Sequence, residues 1–242
     1  MSFNSTAFIA KGDTMGKALR SKLSKLGTAV ALAALCSATS LAAELEFEKS
    51  ASELQKEMEA GKLTSVQLVK YYLKRIRVYD GVVNAFITIN PNALKEAERL
   101  DKERASGKLE GPLHGIPIVL KDNYDTYDMK TTSGALAFKD LQPAKDAFTV
   151  DKLRKAGAIF MGKVNLTEIA NHGMTISSMG GQTLNPYDFT RTPGGSSGGT
   201  GAAVASNFAV MGTGSDTVNS IRSPSSANSL GRTPSNTSRL AF

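Results

Sequence analysis

Apolar and polar positions along this chain follow two alternating spacings, and the changes between them mark the elements. Leu63-Thr64-Ser65-Val66-Gln67-Leu68 has the form of a helix start. Thr64 can cap, Gln67 can close a capping box, and Leu63 can staple onto Leu68. The spacing predicts a helix from there to about Tyr79, with Asp80-Gly81 as the stop. Val82 to Ile89 (VVNAFITI) reads as a strand. Asn90-Pro91 then supplies an N-cap and a proline at the first helical position, and the charged stretch Asn92–Ser106 reads as the next helix. Gly107 to Gly111 is a polar connector.

Ile116-Pro117-Ile118-Val119-Leu120 is a short unbroken apolar run. Such a run suits a central strand buried on both faces, with Pro117 at its start. A helix is expected over Asp146–Ala156, a strand over Ile159–Met161, and another helix over Val164–Ala170. A small-residue helix near Gly199–Ser206 leads into a strand at Phe208–Gly212. Strands alternating with helices predict an α/β fold built on a mostly parallel mixed sheet flanked by helices.

Composition agrees with a packed domain, since 41% of the 242 residues are hydrophobic. The formal charge of +7 raises nucleic acid as a partner, but its distribution argues against it. Lys11, Lys17, Arg20, Lys22 and Lys25 stand against Asp13 alone before residue 44, so +4 of the charge sits there and +3 elsewhere. No basic stripe interleaved with aromatics occurs beyond it. The early charge belongs to a different pattern. Lys17–Lys25 is a basic run, Leu26–Leu35 (LGTAVALAAL) is apolar, and Ser40-Leu41-Ala42 has the small residues of a signal-peptidase site. Residues 1–43 therefore read as a secretory signal cleaved near Ala42, with Met15 as the alternative start. The apolar run is too short for a comfortable membrane span, so no stable membrane anchor is expected after cleavage. The expected location is periplasmic or secreted. The single cysteine, Cys36, lies in this leader, so no disulfide framework exists. His114 and His172 match no zinc spacing, and no metal or other cofactor is implied.

Three segments hold the candidate chemistry: Lys121 at the end of the predicted buried strand, Gly194-Gly195-Ser196-Ser197-Gly198-Gly199, and Gly214-Ser215-Asp216-Thr217-Val218-Asn219-Ser220-Ile221-Arg222. Read singly, the glycine-serine run is a linker and the lysine is a surface residue. Read together they fit nucleophilic catalysis. A serine hydroxyl needs a base, a desolvated lysine can be neutral enough to serve, a second serine can relay the proton, and glycine-rich backbone can bring N–H groups to an oxyanion. Gly195–Gly199 also satisfies G-x-S-x-G, which nominates Ser197 as an α/β-hydrolase nucleophile. That order wants a histidine after the serine, and both histidines precede it. No phosphate-binding glycine loop is present.

The segments GPLHGIPIVLKDN, GGQTLNPYDFTRTPGGSSGGTGAAVA and GSDTVNSIRSPSSAN, in this order and with Ser196 and Ser220 separated by 24 positions, resemble the amidase signature family. The similarity covers about Leu54 to Leu230. The resemblance implies Lys121 as base, Ser196 as bridging serine after a cis peptide bond, and Ser220 as acylated nucleophile. It implies an oxyanion hole from the backbone N–H groups of Thr217, Val218, Asn219 and Ser220, with Asp216 and Arg222 as supports of that loop. It implies hydrolysis of an amide C–N bond in a small molecule or peptide, and no cofactor. Many members carry two glycines where this chain has Val218-Asn219; a positive φ at 218 would strain valine. The stretch Asn165–Asn185 resembles amidases of peptide C-terminal amides or ω-amino-acid oligomers, and a signal peptide disfavours the tRNA-linked amidotransferase branch. Family chains run on well beyond the nucleophile, whereas here Leu230 is followed by the polar GRTPSNTSRLAF. The tail 231–242 therefore reads as aberrant, as a frameshift would leave it. The alternative function is an inactive remnant lacking the C-terminal half. An amidase-like reading frame in another phase downstream is the expected result of sequencing the gene. Oligomeric state is not legible.

Overall fold

The structure is a computed structural model that describes residues 48–231 and the backbone of 239–241. The leader read over 1–43 and most of the polar tail lie outside the described residues. The element order is α1 (Ala51–Glu59), α2 (Ser65–Val83), β1 (Phe86–Ile89), α3 (Ala93–Ala105), β2 (Pro117–Lys121), α4 (Phe148–Lys155), β3 (Ile159–Val164), the small hairpin β4 (Ile176–Ser177) and β5 (Gly181–Gln182), α5 (Gly198–Ala205), β6 (Met211–Gly214), α6 (Arg222–Ala227) and β7 (Arg239–Ala241). Among these, no helix is long and apolar enough to cross a membrane.

The main sheet has the order β1-β3-β2-β6-β7. Its centre is parallel, β3 with β2 and β2 with β6, and its two edges pair antiparallel. The fold is thus α/β with a mixed sheet flanked by helices, parallel where it is most buried. Every residue of β2 and of β3 is buried, which accounts for the unbroken apolar run at 116–120. Helix α2 lays Leu68, Val69, Tyr72 and Ile76 into the core. Full burial of side chains this size contributes about 1.5–3 kcal/mol each. The same helix fixes the far end of α5: Arg75 donates to the carbonyls of Ser206 and Asn207 at 2.9–3.1 Å.

The capping box of α2 forms as the sequence predicts. Thr64 Oγ1 accepts from the Gln67 N–H at 3.1 Å, and Gln67 Oε1 accepts from the Thr64 N–H at 2.9 Å. The stop expected at Asp80-Gly81 does not form. The helix continues to Val83 and ends on Asn84 in the left-handed region, φ 56°. Asp80 instead caps the start of the next segment, accepting from the Ala85 and Phe86 N–H groups at 2.8 and 3.3 Å. Consequently β1 begins at Phe86, four residues later than expected. Asn90 does not cap α3 directly. It is buried, donates to the Phe160 carbonyl at 2.8 Å and accepts from the Asn92 N–H at 2.9 Å, so the helix starts at Ala93.

The helix expected at Val164–Ala170 is absent. Val164 ends β3, and only a 3-10 turn forms at Glu168–Ala170, with Ile169 and Ala170 at φ 53° and 55°. Asn165 is the reason. Its backbone N–H goes to the Ala85 carbonyl, its Oδ1 accepts from Leu166 N–H and Ser177 Oγ, and its amide donates to Gly181 O and Thr183 Oγ1. Those five bonds turn the chain away from a helical path. The final strand of the parallel core, β6, starts at Met211 and not Phe208; Phe208 packs in the core, 6.2 Å from the Phe86 ring.

Candidate active site

Three chain segments meet at the C-terminal edge of the parallel core, where β2 and β6 end. Lys121 is the last residue of β2 and is fully buried. Its backbone N–H donates to Thr213 Oγ1 at 3.0 Å, tying it to β6. Its Nζ lies 2.7 Å from Ser196 Oγ and 2.8 Å from Ser215 Oγ. Burial pushes the ammonium down to about 7, partly opposed by the Asp216 charge. A lysine of this kind is a base at neutral pH, because burial without a contacting carboxylate favours the uncharged amine.

Ser196 follows a cis peptide bond from Gly195 and is buried. The loop carrying it is held by two threonines. Thr175 Oγ1 donates to the Gly194 carbonyl at 2.7 Å and accepts from the Gly198 N–H at 3.0 Å. The Thr167 N–H donates to the Ser196 carbonyl at 3.0 Å, and Thr167 Oγ1 accepts from the Thr175 N–H at 2.9 Å. The glycines here belong to packed backbone and not to a linker. A Cβ on Gly199 would stand 2.1 Å from the Asn165 carbonyl oxygen, and Gly194 sits at φ +76° against Pro224. Ser197 is buried, with its hydroxyl 3.4 Å from the Ser215 carbonyl. No hydrogen bond joins it to a histidine among the described residues.

Ser220 precedes α6 and shares a cavity of about 250 Å³ with Ser196, Ser215, the 170–173 segment and Thr217, Val218 and Asn219. No direct hydrogen bond joins the Ser196 and Ser220 hydroxyls; the Ser220 carbonyl accepts from the Ser197 N–H at 3.1 Å. Asp216 organises this loop. Its carboxylate accepts from the N–H groups of Ser220, Ile221 and Arg222 at 3.2–3.4 Å and from Arg222 Nε at 3.2 Å. Burial works to raise the Asp216 pKa, but these N–H groups and the guanidinium prevail and hold it below the ordinary carboxylate value. The N–H groups of Thr217, Val218 and Asn219 make no hydrogen bond among the described residues, whereas that of Ser220 is engaged by Asp216. Val218 is 75% exposed and is not among the positive-φ residues. Valine in place of glycine is therefore unstrained here.

The site residues expected from sequence thus converge, Lys121 on Ser196 and Ser196 on the cavity that holds Ser220. Ser215 and Asn123 join them without having stood out in the sequence. Asn123 Nδ2 donates to Ser215 Oγ at 3.0 Å, which fixes that hydroxyl against Lys121. Their only signal was proximity in the chain, since each lies within two residues of Lys121 or Asp216. His114 is a core residue, its Nδ1 accepting from the Glu110 N–H and its Nε2 2.9 Å from the Leu100 carbonyl.

Comparison with known proteins gives this geometry a family. The sequence profile of the family described as Amidase matches residues 67–235, so the chain belongs to the amidase signature family. Among curated relatives, a glutamyl-tRNA(Gln) amidotransferase subunit of Alkaliphilus metalliredigens is 45% identical over 164 residues, 67% of this chain and 33% of that protein. Among solved structures, native peptide amidase from Stenotrophomonas maltophilia superposes with a TM-score of 0.74 at 44% identity, covering 78% of this chain and 40% of that one. Fatty acid amide hydrolase superposes with a TM-score of 0.71 at 30% identity, covering 81% and 35%. The chain therefore spans about a third of the length of the curated relatives it matches.

Proposed function

We propose that this chain carries the acyl-transfer machinery of an amidase, hydrolysing an amide C–N bond through a serine ester. The observation that carries the reading is the 2.7 Å contact of buried Lys121 with Ser196, which lines the same cavity as Ser220. In the proposed reaction, Ser220 Oγ attacks the amide carbonyl carbon and passes its proton to Ser196 Oγ, as Ser196 passes its own to neutral Lys121 Nζ. The oxyanion is received by the N–H groups of Thr217, Val218 and Asn219, with Ser220 joining as its bond to Asp216 lengthens. Asp216 and Arg222 hold the loop. The C–N bond then breaks, the leaving nitrogen takes the proton from Lys121 by way of Ser196, and ammonia or an amine departs. Water attacks the ester by the same route in reverse and releases a carboxylic acid.

Peptide amides are the proposed substrate class, supported by the likeness of Asn165–Asn185 to enzymes of that kind and by the peptide amidase superposition. Export is part of the proposal and rests on the basic and apolar leader; N-terminal sequencing of the protein recovered from outside the cytoplasm is expected to begin near residue 43. A competing reading, a non-catalytic chain, is favoured by one observation: Ser196 and Ser220 share no hydrogen bond. Catalytic contacts are often loose before substrate binds. Fluorophosphonate labelling of the full chain separates the two. Labelling lost in Ser220→Ala is expected; a folded wild type that takes no label, or a Ser220→Ala protein that still does, overturns the acyl-enzyme assignment.

A further inference from the structure

We propose that His172 and Asn171 select the substrate, and that the acyl group they select carries a hydrogen-bonding group close to the scissile carbonyl. This rests on the amidase reading of the same cavity and adds what that reading leaves open, the chemistry of the acyl part.

The cavity that holds Ser220 is also lined by the segment Ala170-Asn171-His172-Gly173. That segment is shaped by unusual backbone. Ile169 and Ala170 both lie in the left-handed region without being glycine, a strained conformation that persists only where surroundings enforce it. The enforcement is visible: the Ile169 N–H donates to the Ser133 carbonyl at 2.9 Å, and the Ala170 N–H to the Thr167 carbonyl at 2.7 Å. The segment that presents Asn171 and His172 is thus held at its root, although both residues are exposed.

The exposed polar side chains on this cavity differ from the asparagines buried in the core. The buried asparagines have committed amides: Asn90, Asn165, Asn185 and Asn228 all donate to carbonyls. Around the cavity, the side chains of Asn171, His172, Thr217 and Asn219 make no hydrogen bond among the described residues. Four uncommitted polar groups about one cavity form a recognition surface, since each can pair with a ligand without breaking an internal bond. An imidazole, with one donor and one acceptor nitrogen when neutral, matches the N–H and C=O of an α-acylamino group.

The test measures binding, so that it does not depend on turnover. Full-length Ser220→Ala protein is titrated with N-acetylglycinamide and with the apolar pentanamide, by ligand-observed NMR. Tighter binding of N-acetylglycinamide by at least tenfold is expected. His172→Phe and Asn171→Leu in that background should each erase most of the preference, while His172→Gln, which keeps a donor and an acceptor, should retain it. Circular dichroism of each variant establishes that it folds. Equal binding of the two amides, no binding of either, or a preference that survives both His172→Phe and Asn171→Leu overturns the inference. Fluorophosphonate labelling of wild type reports separately on the acyl-enzyme reading. A His172-dependent preference without labelling would leave the selectivity standing and remove the proposed hydrolysis.

Discussion

Lys121 and Lys163 stand one register step apart on the neighbouring strands β2 and β3, where Leu120 pairs with Lys163 and Lys121 with Val164. Alternation along a strand sends them to opposite faces of the sheet. Both are fully buried, and burial pushes both ammonium groups down. Their partners differ. Lys163 Nζ faces the Asp122 carboxylate at 3.2 Å and donates to Thr131 Oγ1 at 2.7 Å. Asp122 in turn accepts from the Thr132 and Gly134 N–H groups and from the Thr132 hydroxyl. Lys121 meets only hydroxyls. The Asp122 carboxylate opposes the lowering of the Lys163 ammonium and ties the two segments together. Lys121 has no carboxylate in contact, and burial outweighs the Asp216 charge, so it can take a proton from a serine.

The comparison can be broken from the catalytic side first. Lys121→Met is expected to slow fluorophosphonate labelling about 10²–10⁴-fold, the usual worth of a general base, with folding intact. In the wild type, the labelling rate should rise with pH through about 7, as Lys121 loses its proton. Stability should carry the same signature. The folded ammonium pKa of about 7 lies below the unfolded value of about 10.4, so between these pH values the unfolded chain holds the extra proton. The lysine's contribution to stability is therefore least below pH 7 and grows as pH rises through that window. Urea unfolding at several pH values would show part of this slope lost in Lys121→Met.

Lys163→Met attacks the structural side. It leaves the Asp122 carboxylate buried without its counter-charge and should cost about 3–5 kcal/mol of stability by denaturant unfolding, most of it recovered when Asp122→Asn is added. Ser215→Asp sharpens the contrast by giving Lys121 what Lys163 has. An adjacent carboxylate favours the ammonium form, and the labelling midpoint should move to higher pH by about 1–3 units. The smallest effect is far from both lysines. Thr64→Ala removes the cap of α2 and should lower stability by about 1 kcal/mol without moving either pH midpoint.

Signals in the sequence were legible where the interactions behind them were local. Thr64 and Gln67 announced the start of α2, and the apolar run at 116–120 announced a strand buried on both faces. The glycine and serine segments made chemical sense beside Lys121, and the family resemblance singled out Ser196 and Ser220 within them. What escaped was decided across the fold. Asp80 looks like a helix stop, yet its carboxylate serves the two N–H groups beyond the helix end. Val164–Ala170 has helical composition, but Asn165 spends its polar groups on residues up to 80 positions away in the chain. Ser215 carries no mark in the sequence that separates it from any other serine; only the approach of Lys121 and Asn123 gives it a role.

The crowding around Gly199 bears on how such a chain records its past. No side chain fits there without displacing the Asn165 backbone, while a side chain at Gly81 or Gly173 would meet open space. A saturation-mutagenesis map selected for folding would therefore be blank at 199 and permissive at 81. The constraint is spatial, and it acts for as long as the fold is kept. In a lineage that lost its nucleophile but kept its fold, the glycine pattern would outlast the reaction, so the pattern speaks for packing and not for activity.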